Sequence, residues 1–214
     1  MAMQEMINVD DISNEESPLR HHIYSLLAHL LRQAPDESTL MWLATLETDG
    51  DEDSAGMAAA WSVLTLSAKT TRPVQAADEF QLLFIGVGRG EVMPFGSWYL
   101  TGSLMELPLV LLRQDLRQLG FERQEDTKEP EDHIAALLEV MGMLVEEGDE
   151  TQQAAFFNRH VAPWFETLFT DIKRADAAVF YTAVAELAQQ FLMIEKYALP
   201  NALGEQSPRK PSGR

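Results

Sequence analysis

Apolar residues recur at intervals of three and four along most of the chain, which is the spacing of one face of an α-helix. The clearest example is the last segment, between about Ala175 and Tyr197, whose apolar face is Phe180, Val184, Leu187, Phe191 and Ile194. No segment shows the alternation of apolar and polar residues that is typical of a half-buried β-strand. Short links separate the segments, so the pattern predicts an all-α protein that forms a single helical bundle domain.

Caps and breakers set the expected ends of the helices. Ser17 and Pro18 are typical of a helix start, because proline has no N–H and the first helical position needs none. Gly148 is typical of a helix end. The predicted helices run from Ser17 to near Pro35, about Asp36 to Asp49, about Ala55 to Ser67, Pro73 to Phe84, about Thr101 to Leu119, Pro130 to Gly148, about Thr151 to His160 and about Ala175 to Tyr197.

Two links and the two chain ends interrupt this pattern. Residues 85–97 contain four glycines and a proline, and a loop of that length inside a compact domain tends to be functional. Residues 120–129 are acidic with little apolar pattern and are the best candidate for a hinge. Residues 1–16 and 204–214 are polar and are predicted to be disordered, which leaves 17–203 as the folded domain.

The composition fits one cytoplasmic domain. The chain has 214 residues, of which 46% are hydrophobic, and this is enough to bury a core without disulfides. It has no cysteine, which excludes a disulfide framework, a thiolate metal site and a cysteine nucleophile, and which is typical of cytosolic proteins. The acidic N-terminus does not resemble a signal peptide, and no apolar run reaches the ~18 residues of a membrane span. We therefore expect a cytoplasmic protein without membrane insertion.

The charge is strongly acidic, since 34 Asp and Glu against 16 Lys and Arg give a formal net charge of -18 at pH 7. Nucleic-acid binding depends on Lys and Arg that replace the counterions of phosphate, so this charge argues against a nucleic-acid partner. A basic partner is favoured instead, unless the acidic surface serves only to keep the protein soluble.

The sequence gives no positive support for catalysis or for a bound cofactor. The run Gly86-Val-Gly-Arg-Gly90 lacks the Lys and Ser/Thr ending of a P-loop and follows a predicted helix, so we interpret it as a flexible turn. His21 and His22 point to different sides of a helix, and no two histidines have the spacing of four that a helical metal site uses. No nucleophile elbow is present, although a nucleophile assembled by the fold stays open. We predict that the chain is not an enzyme.

The strongest local cluster of charge is Glu129-Pro130-Glu131-Asp132-His133, at the predicted start of a helix. Carboxylates in a first helical turn complement the helix dipole, so capping alone explains the acids. Capping does not explain His133, since a cationic side chain is mildly unfavourable at a helix N-terminus. The acids around His133 tend to keep it protonated, and its ordinary pKa lies near neutrality.

Four motifs occur in a fixed order between about residues 17 and 199. They are Phe80-Gln-Leu-Leu-Phe84-Ile-Gly86, Pro94-Phe-Gly-Ser-Trp-Tyr99, Glu129-Pro-Glu-Asp-His133 leading into an apolar helix, and Phe157-x-x-His160-x-x-Pro163-Trp164. Together they resemble the signature segments of the TorD/DmsD/NarJ family, chaperones that help to mature molybdenum-containing redox enzymes. The resemblance implies N- and C-terminal helical portions joined by a hinge, here 120–129, and some members exchange these portions between protomers. A monomer and a domain-swapped homodimer are therefore both expected forms.

The resemblance also implies a partner, which is the twin-arginine signal peptide or the apo form of a molybdopterin-containing oxidoreductase. Export of that enzyme would be held back until its cofactor is inserted. Such peptides join an arginine-rich segment to an apolar one, so an acidic rim beside an aromatic loop would serve both halves. The implied site residues are Pro94, Phe95, Trp98, Tyr99, Asp132 and His133, with Glu129 and Glu131 completing the acidic rim.

Several alternatives stay open at this point. Trp98 and Tyr99 could pack in the core between helices instead of contacting the peptide, and Trp164 is expected to pack in the core. We expect His133 to orient its neighbours by hydrogen bonding rather than to contact an arginine of the peptide directly, because a protonated histidine would repel arginine. The competing functions are a helical scaffold without peptide recognition, a small hydrolase that uses His133 or His160, and weak guanine-nucleotide binding, which the family suggests but no motif supports. The client could be a trimethylamine N-oxide, dimethyl sulfoxide or nitrate reductase, or a formate dehydrogenase.

Overall fold

Ten α-helices make up most of the regular structure in the computed structural model, which describes residues 9–46, 56–121 and 129–199. They are α1 (Val9–Arg32), α2 (Glu37–Thr45), α3 (Met57–Thr70), α4 (Pro73–Phe80), α5 (Gly96–Thr101), α6 (Leu107–Gln118), α7 (Ile134–Glu147), α8 (Glu150–Phe156), α9 (Phe165–Arg174) and α10 (Phe180–Ala198). Two π-helical turns, Gln81–Ile85 and Phe157–Val161, continue α4 and α8. Within the described residues the only extended pairing is one isolated bridge between Phe95 and His133, so the all-α class is confirmed.

The core forms where helices from the two sides of the 120–129 link meet. Helix α1 packs along α7, and α10 packs against both α3 and α9. Gly142 of α7 faces α1, since a Cβ there would be in ordinary van der Waals contact with Cβ of Tyr24, at 3.5 Å. The carbonyl oxygen of Gly142 also accepts a hydrogen bond from Nδ1 of His21 at 3.0 Å. The fold is therefore held together by contacts between its N- and C-terminal portions.

A buried ion pair ties α1 to α10. Glu195 is 2% exposed, and its two carboxylate oxygens accept from the Nε and Nη2 of Arg20 at 2.8 and 2.7 Å. The hydroxyl of Tyr24 donates to the same carboxylate at 2.8 Å, and Arg20 also donates to the side chain of Gln153 on α8. The hydrogen bond to Glu195 raises the pKa of Arg20 above its ordinary value. Every charge in this cluster is compensated, which is the condition for burying a carboxylate without a large penalty.

A second buried carboxylate caps α10 from a distance. The residue before α10 is Val179, which has no side-chain acceptor for the first amides of the helix. The acceptor comes from Glu79, which lies on α4 and is 8% exposed. Its Oε1 accepts from the N–H groups of Val179 and Tyr181 at 2.8 and 2.7 Å, and its Oε2 accepts from that of Phe180 at 3.0 Å. A negative charge at this end also complements the helix dipole.

Several helix ends agree with the expectations from sequence. Helix α2 begins within one residue of the predicted start at Asp36, and Asp36 caps it, because its Oδ1 accepts from the N–H of Thr39 at 2.7 Å. Residues 86–95 lack helical structure, which confirms most of the predicted loop. The residues 1–8, 47–55, 122–128 and 200–214 lie outside the described part. With them lie the first half of the predicted N-terminal disordered segment, most of the predicted hinge and the predicted C-terminal tail.

Three predicted helix starts are wrong. Helix α1 begins at Val9, so Pro18 lies inside it, and the part of the predicted disordered segment from residue 9 onward is helical. The helix expected from Thr101 is broken by Gly102, whose φ of 78° is left-handed, and α6 begins only at Leu107. Helix α7 begins at Ile134 rather than Pro130. The last difference matters most, because it moves the acids of the signature segment out of the helix and in front of it.

Candidate functional site

Two of the sequence motifs meet in a short antiparallel bridge. The N–H of Gly96 donates to the carbonyl oxygen of Asp132 at 2.8 Å, and the N–H of Ile134 donates to that of Pro94 at 2.9 Å. The rings of Phe95 and His133 contact each other edge to face, with centroids 5.1 Å apart. The loop before α5 and the segment before α7 therefore form one unit, although many residues separate them in the chain.

Asp132 is the most buried acid of this unit, at 3% exposure. Its Oδ2 accepts from the N–H of Ser97 in the first turn of α5 at 2.7 Å. Its Oδ1 is buried and has no hydrogen-bond partner among the residues that the structure describes, and the same holds for the hydroxyl of Ser97. A buried carboxylate oxygen without a donor is costly, so such an atom needs an explanation beyond the helix it caps.

His133 is the N-terminal cap of α7 and is 5% exposed. Its Nδ1 accepts from the N–H of Ala135 at 3.1 Å, so this nitrogen carries no proton. Burial lowers the pKa of His133 to about 3, and the positive charge of Arg32 acts in the same direction. The expectation that nearby acids keep His133 protonated is therefore wrong, because loss of hydration outweighs them. A neutral imidazole also resolves the difficulty of placing a histidine at a helix N-terminus.

The other two acids of the signature segment, Glu129 and Glu131, form ion pairs with arginines of the chain itself. Glu131 accepts hydrogen bonds from both Nε and Nη2 of Arg113, the latter at 2.8 Å, and its side chain is 16% exposed. Glu129 receives Nη1 of Arg32 at 2.9 Å, and Arg32 also contacts Glu139. The acidic rim inferred from the sequence thus consists of two acids already in ion pairs and of Asp132, which has one oxygen without a donor.

That oxygen belongs to a residue that lines a cavity of about 120 Å³. Most of the wall is apolar, and the remaining groups are Asp132, Arg159 and His160. The full lining consists of Gly96, Leu100, Pro108, Leu111, Leu112, Asp132, Leu137, Arg159, His160 and Trp164. The cavity therefore lies between α5, α6 and α7 and is closed by the turn that follows α8.

His160 and Arg159 are held at the cavity by Asp115 of α6. Nε2 of His160 lies 2.7 Å from Oδ2 of Asp115, and Nη1 of Arg159 lies 2.9 Å from the same oxygen. Burial lowers the pKa of His160, even though the hydrogen bond to Asp115 acts in the opposite direction. Both residues lie in the π-helical turn Phe157–Val161, and such turns occur frequently at functional sites.

The three aromatic residues of this region have different roles. Tyr99 stacks on Trp164, with centroids 5.5 Å apart and planes 19° apart, and donates its hydroxyl to Asp171 at 3.0 Å. Trp164 is 2% exposed and donates Nε1–H to the carbonyl oxygen of His160 at 2.7 Å. These contacts support core anchoring for Tyr99 and Trp164. Trp98 is only partly buried, and its ring is covered by a guanidinium rather than by the core.

Sequence reasoning missed several residues that build this region. Ser97, Arg113 and His160 were not assigned to the site, although Ser97 and His160 lie within motifs that had been noted. Arg113 has no local signal, since its partner Glu131 is reached only through the fold. No cluster of three or more metal-ligating side chains occurs within the described ranges. In the same ranges, no helix combines the length and apolarity that crossing a bilayer requires.

The glycine run between α4 and α5 is tied to the preceding turn by backbone hydrogen bonds at both ends. It follows a π-helical turn, and its first amide, that of Gly86, donates to the carbonyl oxygen of Gln81 at 2.7 Å. The amides of Glu91 and Val92, just after the run, donate to Leu82 and Leu83. These groups are engaged by the backbone, so the nucleotide alternative gains no support from them.

Comparison with known proteins identifies the relatives of this chain. Residues 50–170 match the family described as nitrate reductase delta subunit. A protein named chaperone protein TorD from a Shewanella species is 25% identical over 85% of this chain and 94% of its own length. A second protein of that name, from Photobacterium profundum, is 27% identical over 68% of this chain and 72% of its own length.

A solved structure has the same fold. It is described as a putative redox enzyme maturation protein from Archaeoglobus fulgidus, and it superposes with a TM-score of 0.54 at 17% identity, over 92% of this chain and 98% of that one. At this identity the likeness concerns the fold, whereas the family match covers more than half of the sequence. The chain therefore belongs to the nitrate reductase delta subunit family, the TorD/DmsD/NarJ group of chaperones, not enzymes, that its four motifs indicated.

Proposed function

We propose that the chain is a cytoplasmic chaperone that binds the twin-arginine signal peptide, and with it the apo form, of a molybdopterin-containing oxidoreductase. Binding would assist insertion of the cofactor and hold back export until the enzyme has folded. Membership of the family supports this proposal, as do the names of the relatives, which are chaperone proteins TorD and a redox enzyme maturation protein. The client enzyme stays open among the four classes that the resemblance allows.

The observation that carries the proposal is the buried Oδ1 of Asp132, which receives no hydrogen bond from any described residue. It belongs to a residue lining a cavity whose other walls are mainly leucine, proline and tryptophan. An arginine side chain matches both features, because its stem is apolar and its tip carries five N–H donors. A hydrogen bond from a guanidinium to a carboxylate is charge-assisted and about twice as strong as a neutral one. We therefore assign one arginine of the peptide to this cavity.

The remaining residues of the implied site support the cavity in different ways. Pro94, Phe95 and His133 hold the bridge that places Asp132, and the neutral imidazole does not repel an incoming arginine. Glu129 and Glu131 are in ion pairs with arginines of the chain itself, which largely balance their charges. A formal charge of -18 favours the approach of a basic peptide.

Calorimetric titration with a synthetic twin-arginine signal peptide at two salt concentrations tests the proposal. The decisive variant is Asp132→Asn, which keeps an acceptor for Ser97 but removes the charge of a residue that lines the cavity. We expect saturable binding that weakens with salt, and a loss of about ten- to a hundredfold in affinity for the variant, from the strength of a hydrogen bond to a charged group. Asp78→Asn, which removes the same charge at an exposed position of α4, is the matched control and should bind like the wild type.

The scaffold alternative makes the opposite prediction. It is favoured by the bond from Ser97 to Asp132, which caps α5 whether or not a ligand binds. If the scaffold account is correct, Asp132→Asn and Asp78→Asn have equal peptide affinities, or no family-type signal peptide gives heat at all. Unfolding in urea, measured for both variants, separates loss of the ligand contact from loss of the fold.

The oligomeric state is a separate proposal. Helices from both sides of the 120–129 link pack on each other, so exchange of the two portions between protomers would preserve every such contact. A monomer and a domain-swapped homodimer are the two forms we propose. Size-exclusion chromatography with light scattering distinguishes them by mass, and a larger assembly would contradict both.

A further inference from the structure

The guanidinium of Arg89 lies over the indole ring of Trp98, with Cζ 4.6 Å from the ring centroid. Arg89 is exposed and Trp98 is half-buried. None of the ion pairs found among the described residues includes Arg89. The contact with the ring is therefore the interaction that holds this guanidinium in place, which is a cation–π contact of the kind that arginine makes most often with tryptophan.

The loop that carries Arg89 is fixed at both ends. A Cβ on Gly86, whose φ is 61°, would lie 2.0 Å from the carbonyl oxygen of Arg89, and one on Gly90 would lie 2.4 Å from that of Leu83. Only glycine fits at these two positions, so the turn holds the backbone of Arg89 close to Trp98. Arg89 itself is exposed, so its side chain can leave the ring by rotating, without any change in the turn.

Trp98 belongs to α5, the helix that also supplies Gly96 and Leu100 to the wall of the cavity assigned to arginine. It is in α5, between Ser97, whose N–H contacts Asp132, and Leu100, which lines the cavity. A twin-arginine peptide carries two guanidinium groups, and Asp132 offers one oxygen that has no donor among the described residues. The second needs another acceptor nearby, and the face of Trp98 already holds a guanidinium in this structure.

We propose that the outer face of Trp98 is a second guanidinium-binding subsite, and that Arg89 occupies it when no peptide is bound. An arginine of the client displaces Arg89, which rotates into solvent. The inference rests on the proposed function and adds to it a reason for selectivity, because a peptide must offer a cation that competes with an internal one. It also gives the glycine run 86–90 a role, which is to present an internal competitor to the site.

Calorimetric titration of Arg89→Ala with the same twin-arginine peptide tests the inference. We expect the affinity to rise about two- to fivefold, which corresponds to the strength of an exposed cation–π contact. Removing a positive charge also strengthens attraction to any cation, so Arg117→Ala is the matched control. Arg117 is exposed on α6, and the gain for Arg89→Ala should exceed that for Arg117→Ala at both salt concentrations.

A double-mutant cycle locates the effect on the ring. In a Trp98→Leu background, Arg89→Ala should give no gain beyond that of Arg117→Ala. If Trp98→Leu does not fold, as judged by circular dichroism, Trp98→Phe serves instead, and it should reduce the gain because phenylalanine binds cations less strongly. A twin-lysine peptide should gain less from Arg89→Ala than the twin-arginine peptide.

Two outcomes overturn the inference in different ways. If the peptide binds and Arg89→Ala changes its affinity no more than Arg117→Ala does, Arg89 is not an internal competitor, but the proposed function stands. If the peptide binds neither the wild type nor Arg89→Ala, both the inference and the proposed function are wrong, since the variant exposes a site that should then accept arginine.

Discussion

Removing the carboxylate of Glu79 is expected to destabilise the fold through α10. The side chain accepts three backbone N–H groups at 2.7 to 3.0 Å, and Phe180 and Tyr181, which supply two of them, are fully buried. In Glu79→Ala these amides lose their acceptor at the positive end of a helix, and we expect a loss of about 3–5 kcal/mol in the free energy of unfolding. In Glu79→Gln one amide oxygen can still accept, so the expected loss is smaller, about 1–3 kcal/mol.

Urea unfolding followed by circular dichroism measures both variants, and an unchanged slope with denaturant would show that the same transition is compared. Glu91→Gln is the matched control, because exposed Glu91 accepts from the N–H of Ala177 at 3.4 Å, close to the limit of a hydrogen bond. We expect it to change stability by less than about 0.5 kcal/mol. The reasoning is refuted if Glu79→Ala costs no more than Glu91→Gln, since water would then cap α10 as well as the carboxylate does.

Two further predictions concern charge. As the pH falls below about 6.5, the free energy of unfolding should fall by up to about 1.4 kcal/mol per pH unit for His133, because only the unfolded state then gains the proton. Burial also lowers the pKa of His160, which acts in the same direction. A His133 imidazole resonance that titrates near 6.5 in NMR spectra of the folded protein would contradict this. Arg20→Ala should cost about 3–5 kcal/mol by leaving Glu195 buried without its partner. Its control Lys196→Ala, in an exposed pair, should cost under about 1 kcal/mol in the same urea assay, and equal costs would rule out the burial argument.

The helical class followed from the sequence because apolar spacing reports directly on which face of a helix is buried. Helix ends were less predictable where tertiary contacts override local preference. Pro18 is typical of a first helical position, yet α1 begins at Val9. Pro130 has the same preference, but the bridge from Pro94 to Ile134 holds the chain extended there, so α7 starts later. At Pro130 a neighbouring segment therefore determines where the helix starts.

The candidate site was predictable as a set of residues and not as an arrangement. The motifs identified Pro94, Phe95, Asp132 and His133, and the fold joins them in one bridge. The protonation state of His133 could not be read from its acidic neighbours, because it depends on a burial that only the fold creates. The ion pairs of Glu129 and Glu131 join residues far apart in sequence, and no local pattern reports such pairs.

The bridge between Pro94–Ser97 and Asp132–Ile134 has a consequence for how sites are counted in an assembly. One strand of the bridge precedes the 120–129 link and the other follows it, so neither portion contains a site by itself. If two chains exchange portions, each site is rebuilt from two protomers, and the number of sites per chain stays the same. Exchange would then leave the intrinsic affinity for a peptide unchanged and would act only through avidity, by presenting two sites to a client at a fixed separation.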